Sequence, residues 1–226
     1  MEKRNVTIHR DGLENVLMAG KEYIKSHRRP VAIIVLAVLV LTGAGVAGFV
    51  YYDKTSSEDL RRYEAIISEY QNQKPELKTD AAEVAVVKMT NLVKSSRFGY
   101  VHRHGKYILA GLLFETKKFE EAKKMYLEYA DDTDSAFTPL ALFQAGICAE
   151  SLNQFDKANE IYKQIEKKYK DSVYADRILY DLGRMAQKKG DGALAKDCFS
   201  RLLSQYPNSP FTVQAKARLF MNGMTK

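Results

Sequence analysis

His102 and His104, in the stretch YVHRHGKY, are the residues best suited by type to hold a metal or move a proton. Either task needs converging partners. A spacing of two residues puts the rings on different sides of a helix, and no carboxylate or cysteine motif accompanies them. They read as exposed histidines at a helix start. Cys148 and Cys198 are the only cysteines, and each falls on an apolar helical face at a non-equivalent place in the chain. They read as two small buried hydrophobes rather than as a disulfide or a nucleophile. The chain has no P-loop, GxSxG, HExxH or dinucleotide fingerprint. Its acidic residues are dispersed as helix-surface partners for Lys and Arg. No catalytic residue, metal ligand or cofactor is predicted, so the sequence points to a binding protein rather than an enzyme.

Composition sets the frame for that reading. The 226 residues are 46% hydrophobic and 28% charged, as in folded proteins. The net charge is +7 and the pI about 9.2. Residues 1–30 carry seven Lys/Arg against four Asp/Glu, a surplus of three, which leaves +4 for the remaining chain. That dilute, mixed surface lacks the concentrated basic stripe of a nucleic-acid binder, and no nucleic-acid partner is expected.

The elements begin with an anchor. Val31 to Tyr52 is an uncharged apolar run of the length that crosses a bilayer as a helix. Arg28 and Arg29 abut its start, and Tyr51 and Tyr52 stand where interfacial aromatics belong. Gly43, Gly45 and Gly48 form no GxxxG pair. The length of the run and of its N-terminal flank favours an uncleaved anchor over a signal peptide. Lys21, Lys25, Arg28 and Arg29 before the span, against Lys54, Arg61 and Arg62 after it, give a cytoplasmic N-terminus by a narrow margin. The tail segment DGLENVLMAGKEYIKSH reads as a short amphipathic helix. Asp11 and Glu14 suit a capping box, and Leu13, Val16, Leu17, Tyr23 and Ile24 fall near one face. Two readings are open: a helix against the inner leaflet or a partner, and a plain helical lead-in to the span.

Beyond the span every patterned segment is helical. SSEDLRRYEAIISEYQNQ starts on cap residues as a helix of its own, and AAEVAVVKMTNLV follows as another. From Arg97 the chain aligns with itself. FEEAKKMYLEY matches FDKANEIYKQI 36 residues on, and ALAKDCFSRLL follows 37 further along. Ala122, Ala158 and Ala195 recur, as do Tyr126, Tyr162 and Phe199. Upstream of each lie Tyr107, Phe143 and Tyr180, then the small residues Ala110, Gly146 and Gly183. Ala85, Met89 and Leu92 form a degenerate earlier copy. KKYKDSVYADRILYDLG and SQYPNSPFTVQAKARLF are a repeated junction between helical pairs, the second leading into a capping helix.

A period in the mid-thirties with two helices per unit resembles the tetratricopeptide repeat. Lys106, Leu142 and Leu179 stand where that family has tryptophan, and Pro207 stands where it often has proline. The resemblance implies an all-α fold: a single N-terminal transmembrane helix followed by an α-solenoid of tetratricopeptide-like hairpins. The expected divisions are a cytoplasmic tail with its amphipathic helix (1–30), a transmembrane anchor (31–52), a helical lead with a degenerate repeat (53–96) and repeats with a C-terminal cap (97–226). In such folds the first helix of each unit lines a concave face. Here that face would carry His104, Tyr107, Phe143, Ile147, Glu150, Arg177, Tyr180, Arg184 and Lys188. The aromatic series would hold a peptide and the Arg177, Arg184 and Lys188 end a carboxylate. The opposing reading is that the rings pack internally and the cations form a solvated face.

The whole architecture, with LENVLMAGKEYIKSHRRPVAIIVLAVLV, SSEDLRRYEAIISEYQ and the repeats, resembles the YfgM-type ancillary subunits of the Sec translocon. That resemblance implies a bacterial inner-membrane protein with periplasmic repeats that helps pass secreted chains to chaperones. Its partners would be translocon subunits, periplasmic chaperones or exported clients, and membrane lipid through one span. QYPNSPF is closer to soluble periplasmic repeat proteins of the YbgF and BamD types. The alternatives are a scaffold subunit of a large envelope machine, such as a flagellar collar or division apparatus, and a regulatory anchor for an enzyme.

Overall fold

The computed structural model describes residues 10–74, 77–133 and 135–221. The expected capping role of Asp11 and the apolar-face place of Leu13 lie outside the described residues. Ten helices follow one another among them: α1 Arg10–Ser26, α2 Arg28–Gln71, α3 Lys78–Ser95, α4 Gly99–Glu115, α5 Phe119–Asp132, α6 Thr138–Ser151, α7 Phe155–Lys168, α8 Ala175–Lys188, α9 Gly192–Gln205 and α10 Thr212–Met221. No strand occurs among the described residues. The fold is all-α, with one apolar N-terminal helix of membrane-crossing length and a repeat solenoid.

The chain forms two units, Met1–Lys54 and Thr55–Lys226. The first holds α1 and the apolar part of α2, whose large side chains face outward: Ile33, Leu41 and Phe49 are exposed by 67%, 71% and 70%. Such a surface is not that of a helix in water. One expectation needs correction here. The segment beginning at Ser56 is no separate helix, because α2 runs unbroken from Arg28 to Gln71. Ser56 and Ser57 are cap-type residues, but nothing between Tyr52 and Gln71 breaks a helix, since neither Gly nor Pro occurs there.

In the second unit consecutive helices pack pairwise, from α3 on α4 through to α9 on α10. The last part of α2 meets α3 through Lys88–Glu69 at 2.6 Å. Tyr70 Oη donates to Glu115, tying α2 to α4 as well. Gly99 opens α4 at φ +76°, and a Cβ there would lie 1.9 Å from Ser56 Oγ. Backbone conformation and space both demand glycine.

The three hairpins α4/α5, α6/α7 and α8/α9 are built alike. Each first helix ends in a left-handed residue, Lys117 (φ 62°), Asn153 (φ 58°) or Gly190 (φ 78°). The next N–H then reaches back to close the helix: Lys118 to Leu113 O, Gln154 to Ala149 O and Asp191 to Ala186 O, at 2.8–2.9 Å. The second helix returns with a ring on the first. A Cβ on Gly146 would meet Tyr162 at 2.3 Å, and one on Gly183 would meet Phe199 at 2.6 Å. Tyr162 and Phe199 are fully buried. They therefore seat inside their own hairpin rather than in the space between units. Cys148 and Cys198 are free and buried, and burial pushes their thiols up to about 12 and about 11.

Gly146→Ala and Gly183→Ala should each destabilise the chain by about 1–3 kcal/mol, because the ring has no room to retreat. Gly111→Ala is the contrasting case. Its Cβ would meet only Tyr126 Oη at 3.8 Å, so the helix-propensity gain of about 0.5–1 kcal/mol should prevail. Denaturant melts of the three variants measure both signs.

Candidate protein-interaction site

The ring on each second helix is the base of a stack that runs from one hairpin to the next. In α4/α5, Tyr126 meets Tyr107 with centroids 5.5 Å apart, and Phe137, just before α6, lies 6.3 Å from Tyr107. In α6/α7, Tyr162 meets Phe143 at 6.0 Å and Tyr174 lies 6.1 Å beyond, nearly parallel. In α8/α9, Phe199 meets Tyr180 at 6.0 Å and Phe211 lies 5.4 Å beyond. Tyr63 and Tyr100, which precede Phe137 at successive 37-residue steps, lie 5.7 Å apart. The outer rings are held by serine turns: Phe137, Tyr174 and Phe211 donate their N–H to Ser135, Ser172 and Ser209 Oγ at 3.2, 3.4 and 3.1 Å.

The expected face residues thus divide by depth. Phe143 is 9% exposed and belongs to the core. Tyr107, Ile147 and Tyr180 are half-buried at its edge. His104 is not an exposed helix-start histidine. Its Nδ1 lies 3.1 Å from Tyr129 Oη, and its ring lies against Tyr100 at 4.8 Å and Phe137 at 6.2 Å. Burial, and next the charge of Arg103, lowers its pKa from the ordinary value. His102 is exposed and reaches the Ser96 carbonyl at 3.1 Å. No cluster of metal-ligating side chains occurs among the described residues.

The cations are engaged from within. Arg184 Nη2 reaches both oxygens of Glu150 at 2.7 Å, and its Nε and Nη2 reach Asp181 Oδ1 at 3.2 and 3.0 Å. Tyr162 Oη donates to Glu150 at 2.7 Å. Arg177 Nε takes the other oxygen of Asp181 at 2.7 Å, while its guanidinium lies over the rings of Phe143 (5.5 Å) and Phe211 (4.9 Å). Two guanidinium groups and two carboxylates neutralise one another across α6 and α8. Burial opposes the charge of Arg184, but its two carboxylates raise its pKa overall. Lys188 stands apart, its amine 4.2 Å from the centre of the Phe155 ring. A free carboxylate would therefore have to displace Glu150 or Asp181 to use Arg184.

Tyr63, Tyr100, Phe137, Tyr174 and Phe211 were not among the expected face residues, although a constant step of 37 separates them. That step is the signal that could have found them. The buried Asp181, 1% exposed, was missed too, although its partners Arg177 and Arg184 stand four residues before and three after it on the same helix.

Residues 140–172 and 177–209 match the tetratricopeptide repeat family. These two segments are tetratricopeptide repeats. The matches cover most of α6/α7 and α8/α9, and α4/α5 repeats their turn and ring geometry. A tetratricopeptide repeat-containing protein of Treponema pallidum (strain Nichols) is 24% identical over 123 residues, covering 54% of this chain and 51% of the relative. The chain thus spans about half the length of that curated relative. Among solved structures, MamA of MSR-1 is 16% identical, with a TM-score of 0.47 over 69% of this chain and 94% of the other. MamA of AMB-1 is 12% identical, with a TM-score of 0.48 over 75% and 97%. MamA of Desulfovibrio magneticus RS-1, from residue 41 to its end, is 17% identical, with a TM-score of 0.47 over 71% and 96%. Tetratricopeptide repeats are protein-interaction modules, and the two matched segments are of that kind.

Two expectations test the site's internal bonds. Arg184→Ala leaves Glu150 without its cation and Asp181 with Arg177 alone, and should cost about 3–5 kcal/mol in a denaturant melt. His104 is stabilised as the neutral ring, so acid must protonate the unfolded chain first. The melting temperature should fall as pH drops below about 6.5, the ordinary histidine value, and His104→Gln should flatten that slope.

Proposed function

We propose that this chain is a single-pass anchor of the bacterial inner membrane, N-terminus cytoplasmic, whose periplasmic repeats receive secreted chains as an accessory of the Sec translocon. The observation that carries the proposal is the outer row of rings. Tyr100 and Phe137 are 42% and 53% exposed, while Arg177 and Arg184, farther along the array, are already paired with Asp181 and Glu150. Exposed rings select for apolar, extended segments rather than for one charged motif, which suits clients of varied sequence. The apolar run of α2, with Arg28 and Arg29 ahead of it, supports the anchor.

A second reading, a structural subunit of a large envelope machine, is favoured by α10. Its outer side leaves Val213, Phe220 and Met221 exposed by 74%, 76% and 81%, a face suited to permanent contact with another protein.

Photo-crosslinking in intact cells from a reactive residue placed at Phe137 separates the two. Translocon subunits and unfolded export clients are expected. Recovery of one stoichiometric envelope component and none of these would overturn the export reading. Phe137→Ala should weaken capture with little change in melting temperature. Phe143→Ala should instead cost about 3 kcal/mol of stability, since that ring is core.

A further inference from the structure

We infer that α1 lies in the plane of the membrane, its apolar stripe sunk into an anionic lipid leaflet. The inference rests on the reading of Val31–Tyr52 as a membrane span. At 3.6 residues per turn, Val16, Leu17, Gly20, Tyr23 and Ile24 fall in one stripe along α1. Val16, Leu17, Tyr23 and Ile24 are exposed by 71%, 65%, 62% and 53%, so the stripe has no cover from the described residues. In water that exposure is unfavourable, and a lipid surface relieves it.

Two further observations name the occupant. The first is continuity: α1 ends at Ser26 and α2 starts at Arg28, directly ahead of the apolar run. A helix tethered there meets headgroups at far higher effective concentration than it meets any soluble partner. The second is charge. Between Glu14 and Arg29 stand Lys21, Lys25, Arg28 and Arg29 against Glu14 and Glu22. Lys21 borders the stripe on its Leu17 and Ile24 side, where its amine can reach lipid phosphates, and Lys25 lies farther round toward the polar face. The joint that lets α1 turn is Pro30. It has no N–H to offer the Ser26 carbonyl, and its ring crowds that same oxygen. Regular helix is interrupted there, at His27.

The natural sequence has no tryptophan, so single reporters can be read in the full-length chain, reconstituted in phosphatidylcholine vesicles with phosphatidylglycerol and brominated acyl chains. Val16→Trp sits on the stripe and Glu22→Trp nearly opposite it, yet Glu22 is about 9 Å nearer the span along the helix. An in-plane helix quenches Val16→Trp at least twofold more than Glu22→Trp, and the excess shrinks when phosphatidylglycerol is left out. A helix that simply prolongs α2 into water gives the reverse order and overturns the inference. So does a blue-shifted Val16→Trp that bromine does not quench, which would mean a protein covers the stripe. Leu39→Trp reports the span separately. If bromine fails to quench Leu39→Trp, the membrane anchor itself falls; if Leu39→Trp is quenched and Val16→Trp is not, only the in-plane helix falls.

Discussion

Two hairpins of this protein, α6/α7 and α8/α9, depend on a ring resting on a helix where no Cβ intervenes, and in α4/α5 the small Ala110 takes that place. Tyr162 over Gly146 and Phe199 over Gly183 bring two helices close enough for the rest of the hairpin to interlock. Burying such a ring contributes about 2–3 kcal/mol, comparable to the stability margin of a whole repeat. The other contacts are arranged around it. The left-handed turn fixes where the second helix starts, and hence which residue meets the glycine. The first-helix ring (Phe143 or Tyr180) then lies on the seated one, and the outer ring (Tyr174 or Phe211) lies on that. One stack carries packing from the interior of a hairpin to the junction with the next.

The polar network across α6 and α8 adds specificity where the stack adds adhesion. Glu150 and Asp181 compete for Arg184, and Tyr162 contributes a hydroxyl to Glu150. The buried ring of one hairpin is thereby tied to the charge that docks the next. Sliding α8 along α6 would break charged contacts in a site already withdrawn from water. The same arrangement occupies the Arg184 guanidinium with the chain's own carboxylates.

Much of this was legible in the sequence, because the repeat period and the small-residue positions are local patterns. Gly146, Gly183, Ala158 and Ala195 announce close helix approach by their types alone. Depth was less legible. Phe137 before α6 and Phe143 within it are phenylalanines six residues apart, yet the second is 9% and the first 53% exposed. The difference lies in whether a ring faces its own hairpin or the junction, which depends on the turn before it. The continuity of α2 was hidden for a related reason: Ser56 and Ser57 look like a helix cap, but a cap acts only where the chain has a reason to stop. Arg177 and Arg184 looked free because their carboxylates lie a repeat away or on the neighbouring turn.

The last helix gives the array a direction. Phe220 stands 37 residues after Gly183, in the place where α6 and α8 have no side chain. A further ring-bearing helix could not close on α10 as α7 and α9 close on α6 and α8, since the seat is occupied. A partner resting on α10 would meet an aromatic side chain, 76% exposed, at the position where α7 and α9 meet a bare helix backbone.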